Sequence, residues 1–403
     1  MNFLFLTMGT IEDINLKGIY PDLLRKLRDL GHQVSVLGAY HSNDYTESDV
    51  TVDGIRMVHI VTGKTEKCNP IIKGLNMLLL SKAYIKAIDK YYSNDHFDCV
   101  LYSTPPITLV KAISYIKKRD NAKSYLMLKD IFPQNAVDLG MMRKHGVRSI
   151  VYKHFRKMEI DLYEISDKIG CMSPANVKYI LDHNPFLAEE KVEVFPNCIE
   201  ITDSTISDKE KVYYRKKYNL SEEKTICIYG GNLGKPQDIP FVIDCIKEAK
   251  RLESVYFVII GSGTEYSKIE AFIKKDKPTN ISLFSKIPRD DYNRLAAACD
   301  IGLIFLNHSF TIPNFPSRLL GYMQAALPVL CCTDKNSDIG KTVVEGGFGW
   351  WCESNSTVDF VNTLEVAVKS DLSSMKKKEL KHLSDKFSVD DNCKKIIECC
   401  QKN

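Results

Sequence analysis

Short unbroken apolar runs recur along this chain, each followed by an amphipathic stretch of helical period, and this order narrows the fold more than any other feature. Asn2–Thr7 reads NFLFLT, an apolar run with no alternation, as expected for a strand covered on both faces. Ile19–Leu30 then places Leu23, Leu24, Leu27 and Leu30 on one helical face, and Gly31 closes it. Strands are predicted at Gln33–Leu37, Arg56–Val61, Cys99–Ser103, Ser124–Lys129, Lys168–Met172 and Lys191–Phe195. Glu200–Lys211 is polar and aperiodic, which suits a linker. The pattern restarts with strands at Thr225–Tyr229, Val255–Ile260, Ile281–Phe284, Ile301–Leu306 and Pro328–Cys332. Strands alternating with helices imply parallel sheets covered by helices on both faces. The fold class expected is therefore α/β, with two Rossmann-like domains whose crevice would hold the ligand.

Several function classes drop out on composition. Fifty-five basic against fifty-one acidic residues leave +4, too little to argue for nucleic acid as a partner. No apolar run approaches the roughly 20 residues of a membrane span. The start of the chain has neither a basic flank nor a small-residue cleavage site, so no secretion signal is expected. Thirteen cysteines without a C-x-x-C pair indicate neither a disulfide framework nor a zinc site. Nine histidines form no ligand spacing, and no metal is expected. A reduced, cytoplasmic setting follows.

The strongest local signal is Ile226–Gln237, where an apolar strand enters Gly230, Gly231 and Gly234, followed by Lys235 and a helix expected near Asp238. Glycines at a strand-to-helix turn let backbone N–H groups approach a phosphate, and the helix N-terminus favours negative charge. A tight turn needing one positive φ is the plainer alternative. Val258–Gly263 (VIIGSG) ends a second strand in glycines and is either a packing turn or a second loop on the same sheet edge. In Phe315–Val329, Ser317 is placed to cap a helix and Arg318 falls in its first turn. A cation there opposes the helix dipole unless an anion is near, although a solvated arginine would also fit. In the first half, Asp130 follows the strand Ser124–Lys129 and would reach the same crevice, or serve only its own turn. Met8–Gly18 is a further loop on that edge, where Lys17 and Gly18 would meet a substrate or simply face water.

Eight segments (NLKGIYPDLLRKLRDLGHQVSVL, KDIFPQNAVDLG, MSPANVKYI, VFPNCIE, YGGNLGKPQDI, VIIGSG, CDIGLIFL and PSRLLGYMQAALPVL) occur in the order seen in family 4 glycosyltransferases. Over most of its length the chain resembles that family, most of all N-acetylfucosaminyltransferases and related enzymes of bacterial O-antigen and capsule assembly. The resemblance implies a GT-B fold with residues 1–196 as acceptor domain and 197–386 as donor domain. The last helix, from about residue 387 to 403, would cross back onto the first domain. It implies transfer, with retention, of a sugar from a nucleotide diphosphate, UDP being expected, to a lipid-linked saccharide.

The same resemblance carries roles onto residues. Gly231, Asn232, Gly234, Lys235, Ser317 and Arg318 would hold the donor diphosphate. Gly261, Gly263, Lys286 and Ile287 would border the nucleoside, and Asp130, matching the family's D-x-x-P aspartate, would stand beside the transferring sugar. No cofactor and no metal are implied. Gly321 stands where the family has a ribose-binding glutamate, Pro313 where many members have another, and Ala326 where a glycine is usual. Gly321 favours, as an alternative, a non-catalytic subunit of a glycosyltransferase complex. A UDP-sugar 2-epimerase shares the architecture, but the matched loops carry none of the acid–base groups it needs. Met141–Met158 holds six Lys or Arg and no acid, interleaved with Val147, Ile150, Val151, Tyr152 and Phe155. It suits an anionic membrane surface, such as the inner face of the plasma membrane, or an ordinary solvated helix.

Overall fold

A computed structural model describes residues 1–42, 44–63, 70–146, 149–202 and 204–401. The chain divides into two compact units, Met1–Glu200 with Ser388–Asn403, and Ile201–Phe387. The division falls a few residues beyond the one expected at 196/197, because Glu200 is still held in the first unit: its N–H donates to Asp22 Oδ2 at 2.9 Å.

The first unit is built on β1 (Asn2–Leu6), β2 (Gln33–Tyr40), β3 (Ser48–Val52), β4 (Ile55–Val61), β5 (Cys99–Ser103), β6 (Lys123–Leu128), β7 (Lys168–Cys171) and β8 (Val192–Val194). Their order in the sheet is β3-β4-β2-β1-β5-β6-β7-β8. All pairings are parallel except β3 with β4. The sequence reading missed β3 (SDVTV), an edge strand whose side chains are largely outside the core and so show no apolar run. The C-terminal helix Val389–Gln401 packs on this unit, burying Val389, Cys393, Ile396 and Cys399 with Leu23, Leu27 and Phe195. Asn392 Nδ2 donates to Pro196 O at 2.7 Å and Lys395 Nζ to Val194 O at 2.6 Å, so polar groups fix the docking as well.

The second unit contains β9 (Thr225–Asn232), β10 (Val255–Ser262), β11 (Ile281–Phe284), β12 (Ile301–Phe305), β13 (Val329–Thr333) and β14 (Gly349–Glu353), in the order β11-β10-β9-β12-β13-β14 and wholly parallel. β14 (GWWCE) was not expected from the sequence, being short and only partly buried. Asp208–Lys217, whose first four residues fall in the expected linker, is a helix whose Ser207 and Glu210 form a reciprocal capping box. The twelve described cysteines are free, and all but Cys400 are buried, as expected of small core residues.

In each sheet the winding reverses once: between β1 and β5 in the first unit, and between β9 and β12 in the second. Ligands of open α/β sheets bind beyond the C-terminal ends of the strands at such a reversal.

Candidate functional site

In the second unit the reversal brings together the loops following β9 and β12. Gly231 has φ +137°, and a Cβ there would come within 3.3 Å of Arg318 Nη2, so the glycine both allows the turn and leaves room for the guanidinium. Arg318 opens the helix Arg318–Gln324 and stacks on Tyr229, its Cζ 4.3 Å from the ring centre. Tyr229 donates its own hydroxyl to Asn232 O at 2.6 Å and thereby closes the same turn. Nη1 of Arg318 is buried without a hydrogen-bond partner. A guanidinium stays charged at any ordinary pH. Burying one of its donors unpaired is unfavourable unless an anion arrives.

The other loop residues have distinct duties. Gly234 is buried and its N–H donates to Gln237 Oε1 at 3.2 Å, which also accepts from Asn232 Nδ2 at 3.1 Å. These two donors are therefore occupied within the loop. A 3₁₀ turn, Lys235–Gln237, precedes the helix Ile239–Glu248, and Lys235 extends into solvent. Gly261 is compelled by packing, since a Cβ would lie 1.8 Å from Gly231 O; at Gly263 it would lie 2.3 Å from Leu233 O. Lys286 is exposed and Ile287 half-buried, in the loop after β11.

One expectation is corrected. Ser317 does not cap its helix: with φ −63° and ψ −17° it is already helical, and its side chain makes no capping hydrogen bond. An N-cap side chain reaches the following N–H groups from an extended backbone. Here Pro316 O and Ser317 O instead accept from Leu319 and Leu320.

Sequence reasoning missed Tyr322, whose hydroxyl accepts from Gly230 N–H at 3.1 Å and lies 3.2 Å from Ile228 O, fastening the helix that carries Arg318 to β9. The Gly321 side of that helix is open, with nothing within 4 Å of where a Cβ would be. Ala326 sits at φ +49° where the chain leaves the helix, with Leu327 N bonded to Tyr322 O and Ala326 N to Met323 O. This is the left-handed C-terminal turn in which glycine carries no steric penalty.

In the first unit, Asp130 lies just beyond β6. Thr104, after β5, orders it: its hydroxyl donates to Asp130 O at 3.0 Å and accepts from the N–H groups of Lys129 and Asp130. Asn135 Nδ2 donates to Asp130 Oδ2 at 2.7 Å. Burial pushes the Asp130 carboxyl up to about 6, against hydrogen bonds that lower it. Lys129, which no local pattern singles out, places Nζ 5.2 Å from the Phe195 ring centre, buried and without a hydrogen-bond partner. Desolvation lowers it to about 8. Gly18 precedes the helix Ile19–Asp29 in an extended conformation and donates its N–H to Asp22 Oδ1 at 2.9 Å. Lys17 is exposed beside it.

Within the basic segment only the second half is regular, in the helix Ser149–Ile165. Met141, Ile150 and Val151 are 65%, 68% and 53% exposed, among the exposed cations Arg143, Lys144, Lys153 and Lys157. Val147 and Arg148 lie outside the described residues. Among the described residues no helix is long and apolar enough to cross a membrane, and no cluster of three or more His, Cys, Asp or Glu could hold a metal.

Two parallel α/β units with reversal-point loops and a returning C-terminal helix define a GT-B fold. Residues 211–386, within the second unit, match the family model for glycosyl transferases group 1. The chain is 25% identical over 284 residues to the probable glycosyltransferase WbjE of Pseudomonas aeruginosa, covering 69% of this chain and 68% of that one. It is 21% identical over 248 residues to the putative colanic acid biosynthesis glycosyl transferase WcaI of Escherichia coli, covering 60% and 59%. In structure it resembles Anabaena Alr3699/HepE, solved in complex with UDP, at a TM-score of 0.67 and 15% identity over 99% of both chains. These findings support a glycosyltransferase.

Proposed function

We propose that this chain is a retaining glycosyltransferase. It moves an N-acetylated hexosamine or deoxyhexosamine from a UDP-linked donor to a lipid-linked saccharide in bacterial surface polysaccharide synthesis. The observation that carries the reading is Arg318: a permanently charged guanidinium with a buried, unpaired donor, stacked on Tyr229 over a glycine turn at the sheet reversal. A nucleotide diphosphate supplies the missing anion. As the glycosidic bond to phosphate breaks, negative charge grows on the leaving diphosphate, and Arg318 with Lys235 stabilises it without proton transfer or a metal. Gly231 and Asn232 shape that loop, and Gly261, Gly263, Lys286 and Ile287 border the nucleoside. Asp130, with Lys17 and Gly18 on the acceptor side, serves the transferring sugar.

UDP is chosen because HepE holds it, and surface polysaccharide because WcaI is named for colanic acid biosynthesis. The exposed apolar residues and cations of 141–158 suit a peripheral hold on an anionic membrane, where a lipid-linked acceptor resides.

The test has two stages. The purified chain is melted with UDP, GDP and dTDP, where the matching nucleotide raises stability by mass action; no shift with any of them removes the proposal. Transfer from UDP-N-acetylhexosamines to a polyprenyl-diphosphate-linked saccharide in vesicles is then measured. Gly321 leaves its helix face without a carboxylate, which favours a second reading as a non-catalytic subunit. Nucleotide binding with no transfer by the chain alone would select that reading.

A further inference from the structure

Two side chains meet across the reversal of the second sheet. Asp238 ends the loop that follows β9, His308 lies on the loop that follows β12, and His308 Nδ1 is 3.9 Å from Asp238 Oδ2. The loops are fastened together beside them: Asn307 donates its N–H to Pro236 O at 2.8 Å and its Nδ2 to Lys235 O at 3.4 Å. The side chains remain accessible, 21% exposed for Asp238 and 54% for His308.

Asp238 is an odd residue for this position. Its backbone is left-handed, φ +51° and ψ +64°, where glycine has no steric penalty and aspartate is merely tolerated. An aspartate immediately before a helix ordinarily accepts from the first N–H groups, yet Asp238 makes no side-chain capping bond to Ile239–Glu248. Neither backbone nor cap accounts for the carboxylate.

We propose that the Asp238–His308 pair reads hydroxyl groups of the donor, those of the ribose or of the transferred sugar. This rests on the donor reading above. A carboxylate three residues after Lys235 is repelled by phosphate and accepts hydrogen bonds from hydroxyls, two at once from an adjacent pair. The imidazole adds one donor and one acceptor when neutral. No carboxylate comes from the open face of the helix Arg318–Gln324, where Gly321 stands.

The full chain is compared with Asp238→Gly, Asp238→Asn and His308→Gln, using pyrophosphate, UDP, 2′,3′-dideoxy-UDP and UDP-N-acetylglucosamine as probes. Asp238→Gly relieves the backbone and is expected to melt about 2–4 °C higher without ligand. Its affinity for pyrophosphate holds, while that for hydroxyl-bearing probes falls about tenfold. A loss for UDP but not for dideoxy-UDP assigns the ribose. A loss for UDP-N-acetylglucosamine beyond that for UDP assigns the sugar. Asp238→Asn and His308→Gln show smaller losses of the same kind. An equal change for all four probes, or none, overturns the proposal while leaving the donor site standing. If the unaltered chain binds no UDP, the donor reading fails and this one falls with it.

Discussion

Each unit holds a cation against an aromatic ring beyond a C-terminal strand end: Arg318 at 4.3 Å from the Tyr229 ring centre and Lys129 at 5.2 Å from that of Phe195. Each has a buried nitrogen without a hydrogen-bond partner. The two differ in what surrounds them and in what they can do about it. Arg318 stands over a glycine turn and cannot give up its proton. Lys129 lies near Cys171 and Cys198, thiols that burial raises to about 12 and about 11, so they offer no counter-charge. Burial lowers Lys129 to about 8, so it sheds its charge on a modest rise above neutral pH. An unpaired cation that must stay charged is stabilised by an arriving anion; one that can become neutral is compatible with a core. On the function proposed above, chemistry in the first unit falls to its neighbour Asp130.

The largest expected effect on binding breaks the donor side. Arg318→Ala should weaken UDP binding about 100-fold and uridine binding hardly at all, by calorimetry, since a guanidinium–diphosphate contact is worth several charged hydrogen bonds. Equal losses for both would end the assignment.

Asp130→Asn should lower transfer by about 10²–10³-fold while UDP affinity stays within a few-fold, as expected of a group acting on the sugar and not on the diphosphate. It also carries a stability signature. The folded carboxyl titrates at about 6, above its unfolded value near ~3.9, so folding favours the protonated form. Stability is then lost as pH rises from about 4 to about 6, and the asparagine variant should not show this loss in urea titrations.

Lys129→Met sharpens the contrast in the opposite direction. The folded amine titrates at about 8, below its unfolded ~10.4, so the charged form is penalised at neutral pH and stability rises from about pH 8 to 10. The variant should be more stable by about 2 kcal/mol at pH 7 and lose that pH dependence, with UDP affinity unchanged. A drop in UDP affinity would mean that the two cations are not opposites.

Gly321→Glu has room for its side chain and should tighten UDP binding up to about tenfold, with 2′-deoxy-UDP unaffected. Strong dependence on the 2′-hydroxyl in the unaltered chain would show that another group already reads it. Ala326→Gly should touch neither edge. It removes a left-handed alanine at φ +49° and is expected to add about 1 kcal/mol, or about 2–4 °C, with no change in binding.

The sequence by itself determined the two parallel sheets and the glycine turn after β9. Strands covered on both faces must be continuous apolar runs, and these are visible without partners. β3, β14 and the helix Asp208–Lys217 escaped because their residues are polar, short or partly exposed, so local period carried little signal. Only the tertiary structure decided which chemistry-bearing groups meet. Tyr229 lies under Arg318 although 89 residues separate them, His308 faces Asp238 across 70, and Phe195 covers Lys129 across 66. Whether a cation finds a counter-ion, a ring or nothing depends on strand order and burial. Both are settled by packing between distant segments, and no local pattern of residues encodes them.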